Sequence, residues 1–128
     1  MSSAVLDSSA LLALIQGEPG ALIIAGAIGE GVTISTVNLC EIVSKLRDAG
    51  FNEDDIRTQL ESLRFDTSDF AVADAWRAGL LRSSTRDYGL SLGDRACLAL
   101  ALALDLPVLT ADRNWARLDI GLQITLIR

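Results

Sequence analysis

Hydrophobic and polar positions follow two rhythms along the chain. Short apolar runs predict buried strands at residues 4–6, 32–35 and 107–110, with a short candidate at 65–67 and a last strand at 122–127. Between them lie stretches with helical spacing. Ser8 and Ser9 open a helix over 10–15 that Gly17 stops, and Pro19 leads into a second over 21–28, broken by Gly29 and Gly31. Thr36 caps a helix over 37–49 whose Leu39, Ile42, Val43 and Leu46 share one face. A helix over 53–63 carries Ile56, Leu60 and Leu63 on one side. Ser68 caps a long helix through Trp76 to Arg82. Ser91 caps the most apolar helix, over 94–104, which should be buried on most sides. A short helix over 114–118 follows the last strong strand.

Strands of this kind alternating with long helices predict an α/β fold with a mostly parallel sheet covered on both faces. Crossovers are right-handed, so the strand carboxyl ends share one edge, where ligands bind beside the topological switch point. At 128 residues, with no repeat, linker or low-complexity stretch, residues 1–128 read as a single domain.

Composition narrows the chemistry. There is no histidine, which removes Ser-His-Asp triads, Cys-His dyads and His-ligated zinc. Two cysteines, Cys40 and Cys97, are too few for a zinc ribbon or an iron–sulfur cluster, and both read as buried free thiols in a reducing cytoplasm. The single lysine, Lys45, lies in no glycine-rich phosphate loop. The longest apolar run is nine residues, well short of the roughly 20 that cross a bilayer, so no membrane span and a cytoplasmic location are expected. Catalysis would rest on carboxylates, hydroxyls and arginines. The net charge of −6 disfavours nucleic-acid binding by charge alone.

Four acids fall where the fold places its functional edge. Asp7 follows the first strand, and Asp112 follows the fourth. Glu41 lies in the second turn of the helix after strand two, and Asp94 in the first turn of the apolar helix. Each has a structural reading. Asp7 and Asp112 can cap the helices they precede, Glu41 can pair with Lys45, and Asp94 completes a Ser-x-x-acid capping box with Ser91. Together, four carboxylates at one edge repel by about 1 kcal/mol per pair at 4 Å in water and by more where solvent is excluded. A divalent cation removes that conflict. Oxygen donors without His or Cys point to Mg²⁺ or Mn²⁺, and such a centre suits phosphodiester hydrolysis.

The stretches AVLDSSALLALIQGEPG (4–20), TISTVNLCEIVSKL (33–46), LSLGDRACLALALALDLPVLTAD (90–112) and the following RNWARL resemble PIN-domain ribonucleases, and more closely the VapC-like toxins of prokaryotic toxin–antitoxin pairs. The resemblance spans nearly the whole chain. It implies a three-layer α/β/α sandwich and Mg²⁺- or Mn²⁺-dependent cleavage of RNA, with Asp7, Glu41, Asp94 and Asp112 as catalytic metal ligands. It also implies a homodimer and a cognate antitoxin protein. Ser8, Thr110 and Asn114 match positions that often carry polar residues beside such sites. Some members carry a further acid just after the fourth; here Arg113-Asn114-Trp115 follows.

Further expectations concern the surface. Arg82, Arg86, Arg95 and Arg113 are candidates for holding RNA. Trp76 and Trp115 read as core or interface anchors. Ile23, Ile24 and Ile28, with Ile56, Leu60 and Leu63, offer faces that either bury each other or receive a partner helix. The competing reading is a PIN-like binding module whose acids are only caps. Phosphotransfer on another doubly wound sheet fits poorly. A haloacid-dehalogenase-like enzyme would want an Asp where Ser9 stands, and a receiver domain would want paired early acids and a late lysine.

Overall fold

The computed structural model describes all of residues 1–128. Five strands form one sheet, β1 (Ala4–Leu6), β2 (Val32–Ser35), β3 (Asp66–Ser68), β4 (Val108–Thr110) and β5 (Ile124–Leu126). Their order is β3-β2-β1-β4-β5, and every pairing is parallel. Six helices accompany them, α1 (Ser8–Ile15), α2 (Ala21–Glu30), α3 (Thr36–Asp48), α4 (Glu53–Glu61), α5 (Val72–Thr85) and α6 (Leu92–Leu104). The result is the α/β/α sandwich expected from the alternation of strands and helices.

β1 is the axis of the molecule. It pairs with β2 on one side and β4 on the other, and all three of its residues are buried. The two-residue period of a strand sends its side chains to opposite faces. Ala4 and Leu6 join a core built from α1, α3, Ile24 of α2 and Ile56 of α4. Val5 joins a second core with Cys97, Leu98 and Leu100 of α6, Val108 and Trp115. The apolar helix α6 is buried from Ala96 through Ala101, as its composition demands. No helix is long and apolar enough to cross a membrane.

Helix ends differ from the sequence expectation where a side chain supplies a better cap. α1 begins at Ser8, because the Asp7 carboxylate accepts from the Ala10 amide at 3.0 Å. Ser35, not Thr36, caps α3 by accepting from the Val37 amide. Ser68 belongs to β3, and α5 starts four residues later, where Asp74 reaches back to the Ala71 amide at 2.9 Å. α2 runs through Gly29 and stops at Gly31, whose φ of +104° ends the helix and turns the chain into β2. One burial expectation is corrected: Cys40 is exposed, since it lies on the outer side of α3. Of the two readings of Trp76, core or interface anchor, its exposure on α5 removes the first. Trp115 is fully buried.

Leu98→Ala should therefore lower stability by about 3 kcal/mol, the cost of a cavity in a packed core. Leu92→Ala, at an exposed position of the same helix, should change it by less than about 0.5 kcal/mol. Urea denaturation of both variants measures the contrast.

Candidate functional site

The strand order reverses between β1 and β4, so their carboxyl ends open the crevice in which such sheets bind ligands. Asp7 follows β1 directly and is only 4% exposed. Its Oδ1 accepts from the Ser9 hydroxyl at 2.8 Å and the Ala10 amide at 3.0 Å, while Oδ2 accepts from the Thr110 hydroxyl at 2.9 Å. Burial outweighs these donors and pushes the carboxyl up from 3.8 to about 6, and the charge of Asp94 adds to the rise.

Glu41 comes to the same edge from α3. Its Oε1 accepts from the Ser8 hydroxyl at 2.7 Å and from Nδ2 of Asn38 at 2.9 Å. The same Asn38 nitrogen donates to the Gly93 carbonyl at 3.0 Å. Asn38 is buried, and its Oδ1 has no partner. A Cβ added at Gly93 would fall on the Glu41 carboxylate. The missing side chain at 93 thus gives Glu41 its seat against the first turn of α6, one residue before Asp94.

Asp94 is half-buried and closes a reciprocal capping box. Its Oδ2 accepts from the Ser91 amide at 3.0 Å, and its own amide donates to the Ser91 hydroxyl at 3.2 Å. Burial raises its pKa, Ser91 opposes the rise, and the charges of Glu41 and Asp112 add to it. Asp112 lies two residues past β4. It caps the short helical turn Arg113–Arg117, accepting from the Asn114 amide at 3.0 Å, and its own amide donates to Thr110. Cys97, one turn beyond Asp94, is fully buried. Its thiol is pushed well up, first by desolvation and then by Asp7, Asp94 and Glu41.

The four acids thus form one electrostatic neighbourhood. The charge of Asp94 acts on Asp7, and those of Glu41 and Asp112 act on Asp94. They are not gathered into a cage, because no three of the chain's acidic or thiol groups stand close enough to hold an ion jointly. Three of the four are engaged as helix caps, as the structural reading of each residue expects. Glu41 makes no ion pair with Lys45. Every side-chain donor of the four acids is oxygen, the ligand type that a hard divalent cation takes.

Of the flanking candidates, Ser8 holds Glu41 and Thr110 holds Asp7, whereas Asn114 contributes its backbone amide. Arg82, Arg86 and Arg113 are exposed, and Arg95 donates to the Ala78 carbonyl on α5. Ser9, Asn38 and Gly93 are additions that the sequence pattern does not single out. A glycine inside the first turn of an otherwise strong helix was the available signal for Gly93.

The architecture is that of an α/β protein with a parallel sheet and its acidic residues at the carboxyl edge, around the switch point. The family profile described as PIN domain matches residues 4–121, and the chain belongs to that family. It is similar in fold to a toxin–antitoxin complex from Klebsiella pneumoniae, at 24% identity over 98% of each chain with a TM-score of 0.76. It is also similar to the DNA-bound VapBC of Salmonella typhimurium, at 17% identity over the whole of both chains with a TM-score of 0.78. VapBC-5 from Mycobacterium tuberculosis shares 27% identity over 98% of each chain, with a TM-score of 0.59. No curated protein matches by sequence.

Asp7 has a raised folded pKa, so the folded state keeps its proton between about pH 4 and pH 6 while the unfolded state has lost it. Its stabilising contribution is present below the unfolded value and is lost as pH rises through about 6. Asp7→Asn keeps the three contacts if the Thr110 hydroxyl accepts instead of donating. In chelator, the variant should be more stable than the wild type at pH 7.5 by about 1–3 kcal/mol, with the difference vanishing near pH 4. Thermal melts across that range measure it.

Gly93→Ala should lower stability by about 1–3 kcal/mol, because the added methyl displaces the Glu41 carboxylate from its bonds with Ser8 and Asn38, a loss that the gain in helix propensity only partly offsets. A crystal structure of the variant should show the Glu41 carboxylate displaced from α6.

Proposed function

We propose that the chain is a Mg²⁺- or Mn²⁺-dependent endoribonuclease, the toxin of a toxin–antitoxin pair. The carrying observation is the placement of Glu41 against the first turn of α6, beside Asp94 and in the same neighbourhood as Asp7 and Asp112. Membership of the PIN-domain family supports the reading, as do fold neighbours that are VapBC and other toxin–antitoxin complexes. Asp7, Glu41, Asp94 and Asp112 would hold the metal. A bound divalent cation supplies charge for the phosphoryl oxygens and lowers the pKa of water at neutral pH, chemistry for which this chain has no imidazole. The chain's own part is positioning. Ser8 and Asn38 fix Glu41, Ser9 and Thr110 fix Asp7, and the amino ends of α1 and α6 lie at the same edge.

Partners follow from the same reading: an RNA substrate, a second copy of the chain, and a cognate antitoxin. An open groove of about 690 Å³ between α3 and α4, lined by Leu39, Val43, Ile56, Leu60 and Phe65 and rimmed by charged residues, suits an apolar segment of the antitoxin.

A second reading is favoured by a specific observation. Asp7, Asp94 and Asp112 each already cap a helix, as the acids of a non-catalytic PIN-like binding module would. Calorimetric titration with Mn²⁺ separates the two. On the nuclease reading Mn²⁺ binds, RNA cleavage stops in excess EDTA, and Asp94→Asn abolishes cleavage while the fold survives. On the module reading no cation binds, and Asp94→Asn costs about 1 kcal/mol of stability and nothing else.

A further inference from the structure

The acidic edge is flanked unequally. Past the carboxyl end of β3, the outermost strand on one side, come Asp69, exposed, and Asp74, half-buried, and Arg77 is drawn to Asp74 at 3.6 Å. On the side of β4 two short turns meet. The turn Arg86–Tyr88 closes α5, and the turn Arg113–Arg117 follows Asp112. The Tyr88 hydroxyl donates to the Arg117 carbonyl at 3.1 Å. Tyr88 also packs on the second core, of which Trp115 and Leu118 are buried members. The two turns are thereby locked into one ledge.

The ledge carries Arg86, Arg113 and Arg117 on its outside, all exposed, with Arg82 one turn back on α5. None of the four makes an ion pair within the chain, and only Asp87 and Asp119 lie among them in sequence. The ledge adjoins the edge at two points. Asp112 caps its second turn, and Ser91, the partner of Asp94 at the start of α6, follows closely on Tyr88. Exposed arginines that pair with nothing add little to stability. Grouped on a backbone fixed by core packing, they present planar forks that match phosphate oxygens.

We propose that this ledge holds the RNA strand beside the cut, Arg113 taking the phosphate next to the one at the acids and Arg86 and Arg117 those further along. The inference rests on the nuclease reading above and gives its substrate a direction: out over β4, and not over β3, where Asp69 and Asp74 oppose it. The net charge of −6 does not forbid this. Screening over about 8 Å at physiological ionic strength mutes the distant acids and leaves direct arginine–phosphate contacts in force.

Fluorescence anisotropy with a fluorescein-labelled, single-stranded oligouridylate measures binding to the full chain. An Asp94→Asn background keeps the strand uncut on the nuclease reading and removes only a helix cap on the module reading. In that background Arg86→Gln, Arg113→Gln and Arg117→Gln should each weaken binding about 3- to 10-fold. Each should also lower the slope of log Kd against log salt by about 0.7. Arg113→Lys should restore the slope, because the charge returns. Arg64→Gln, at an exposed and unpaired position before the amino end of β3, should do neither. With the acids intact and Mn²⁺ present, Arg113→Gln should raise KM for RNA and leave kcat within about 2-fold. Circular dichroism confirms that each variant is folded. Three arginine variants that bind as their parent does overturn the proposal. So does Arg64→Gln weakening binding as much as they do, or an oligouridylate that fails to bind even at low salt. The two readings fail separately. Binding through the ledge without any cleavage in Mn²⁺ sinks the nuclease reading and keeps the ledge. Cleavage with KM unchanged in all three variants sinks the ledge and keeps the nuclease.

Discussion

The functional edge is organised around a carboxylate buried at the end of the central strand. Asp7 sits where β1 stops, flanked by parallel strands on both sides, and almost none of it reaches water. A charge in that position is costly unless donors surround it. Here they come from two places: the first turn of α1, through the Ala10 amide and the Ser9 hydroxyl, and Thr110 at the end of β4. The bonds tie β1, α1 and β4 into one corner, but they do not fully offset desolvation, as the rise of the carboxyl to about 6 records. Packing alone would be served better by a neutral residue. The fold therefore retains at its switch point a group that is expensive to keep ionised.

The other three acids repeat this tension with less burial. Asp94 and Asp112 satisfy helix amino ends, a use worth about 1 kcal/mol each. Yet capping does not account for their placement together, and Asp94 is held above its ordinary value partly by its neighbours. Glu41 caps nothing. It is fixed by Ser8 and by a buried amide, Asn38, that also grips the Gly93 carbonyl. A side chain clamped this way against the amino end of another helix, in space created by an absent side chain, is held for position rather than for stability. Glu41 is thus the acid that the capping reading leaves unexplained.

β1, β2 and β4 were legible because short apolar runs have few alternatives when long helices separate them, whereas β3, the polar and largely exposed Asp66–Ser68, carries no such signal. All four acids could be assigned to one edge because parallel topology alone dictates it. Helix starts were less legible. Ser68 looks like a cap, but Thr36 accepts from the Phe70 amide across the chain and Asp74 supplies the actual start of α5, so local pattern lost to a tertiary contact. Trp76 shows the same limit in reverse: one face of α5 has the composition of a buried surface, and periodicity cannot say whether the partner lies within the chain. Asn38 was hidden for a third reason. A polar residue in a helix reads as solvated until the fold shows that it is enclosed between α3 and α6.

Charge sets the remaining constraint on the proposed reading. A chain of net charge −6 does not attract a polyanion by its overall field, and it places its acids where a phosphodiester would have to lie. An unneutralised edge would repel the substrate it is meant to cut. Arg95 is turned onto α5, whereas Arg113, next to Asp112, is exposed and makes no ion pair within the chain, a single positive charge against four acids. Under this reading, a cation held by Asp7, Glu41, Asp94 and Asp112 would neutralise the edge and lower the cost of bringing a phosphate in, so that cation and phosphate binding would be coupled. The weak gathering of the acids then has a physical basis, since four carboxylates held permanently within ligating distance of a common point would oppose folding more than caps could offset.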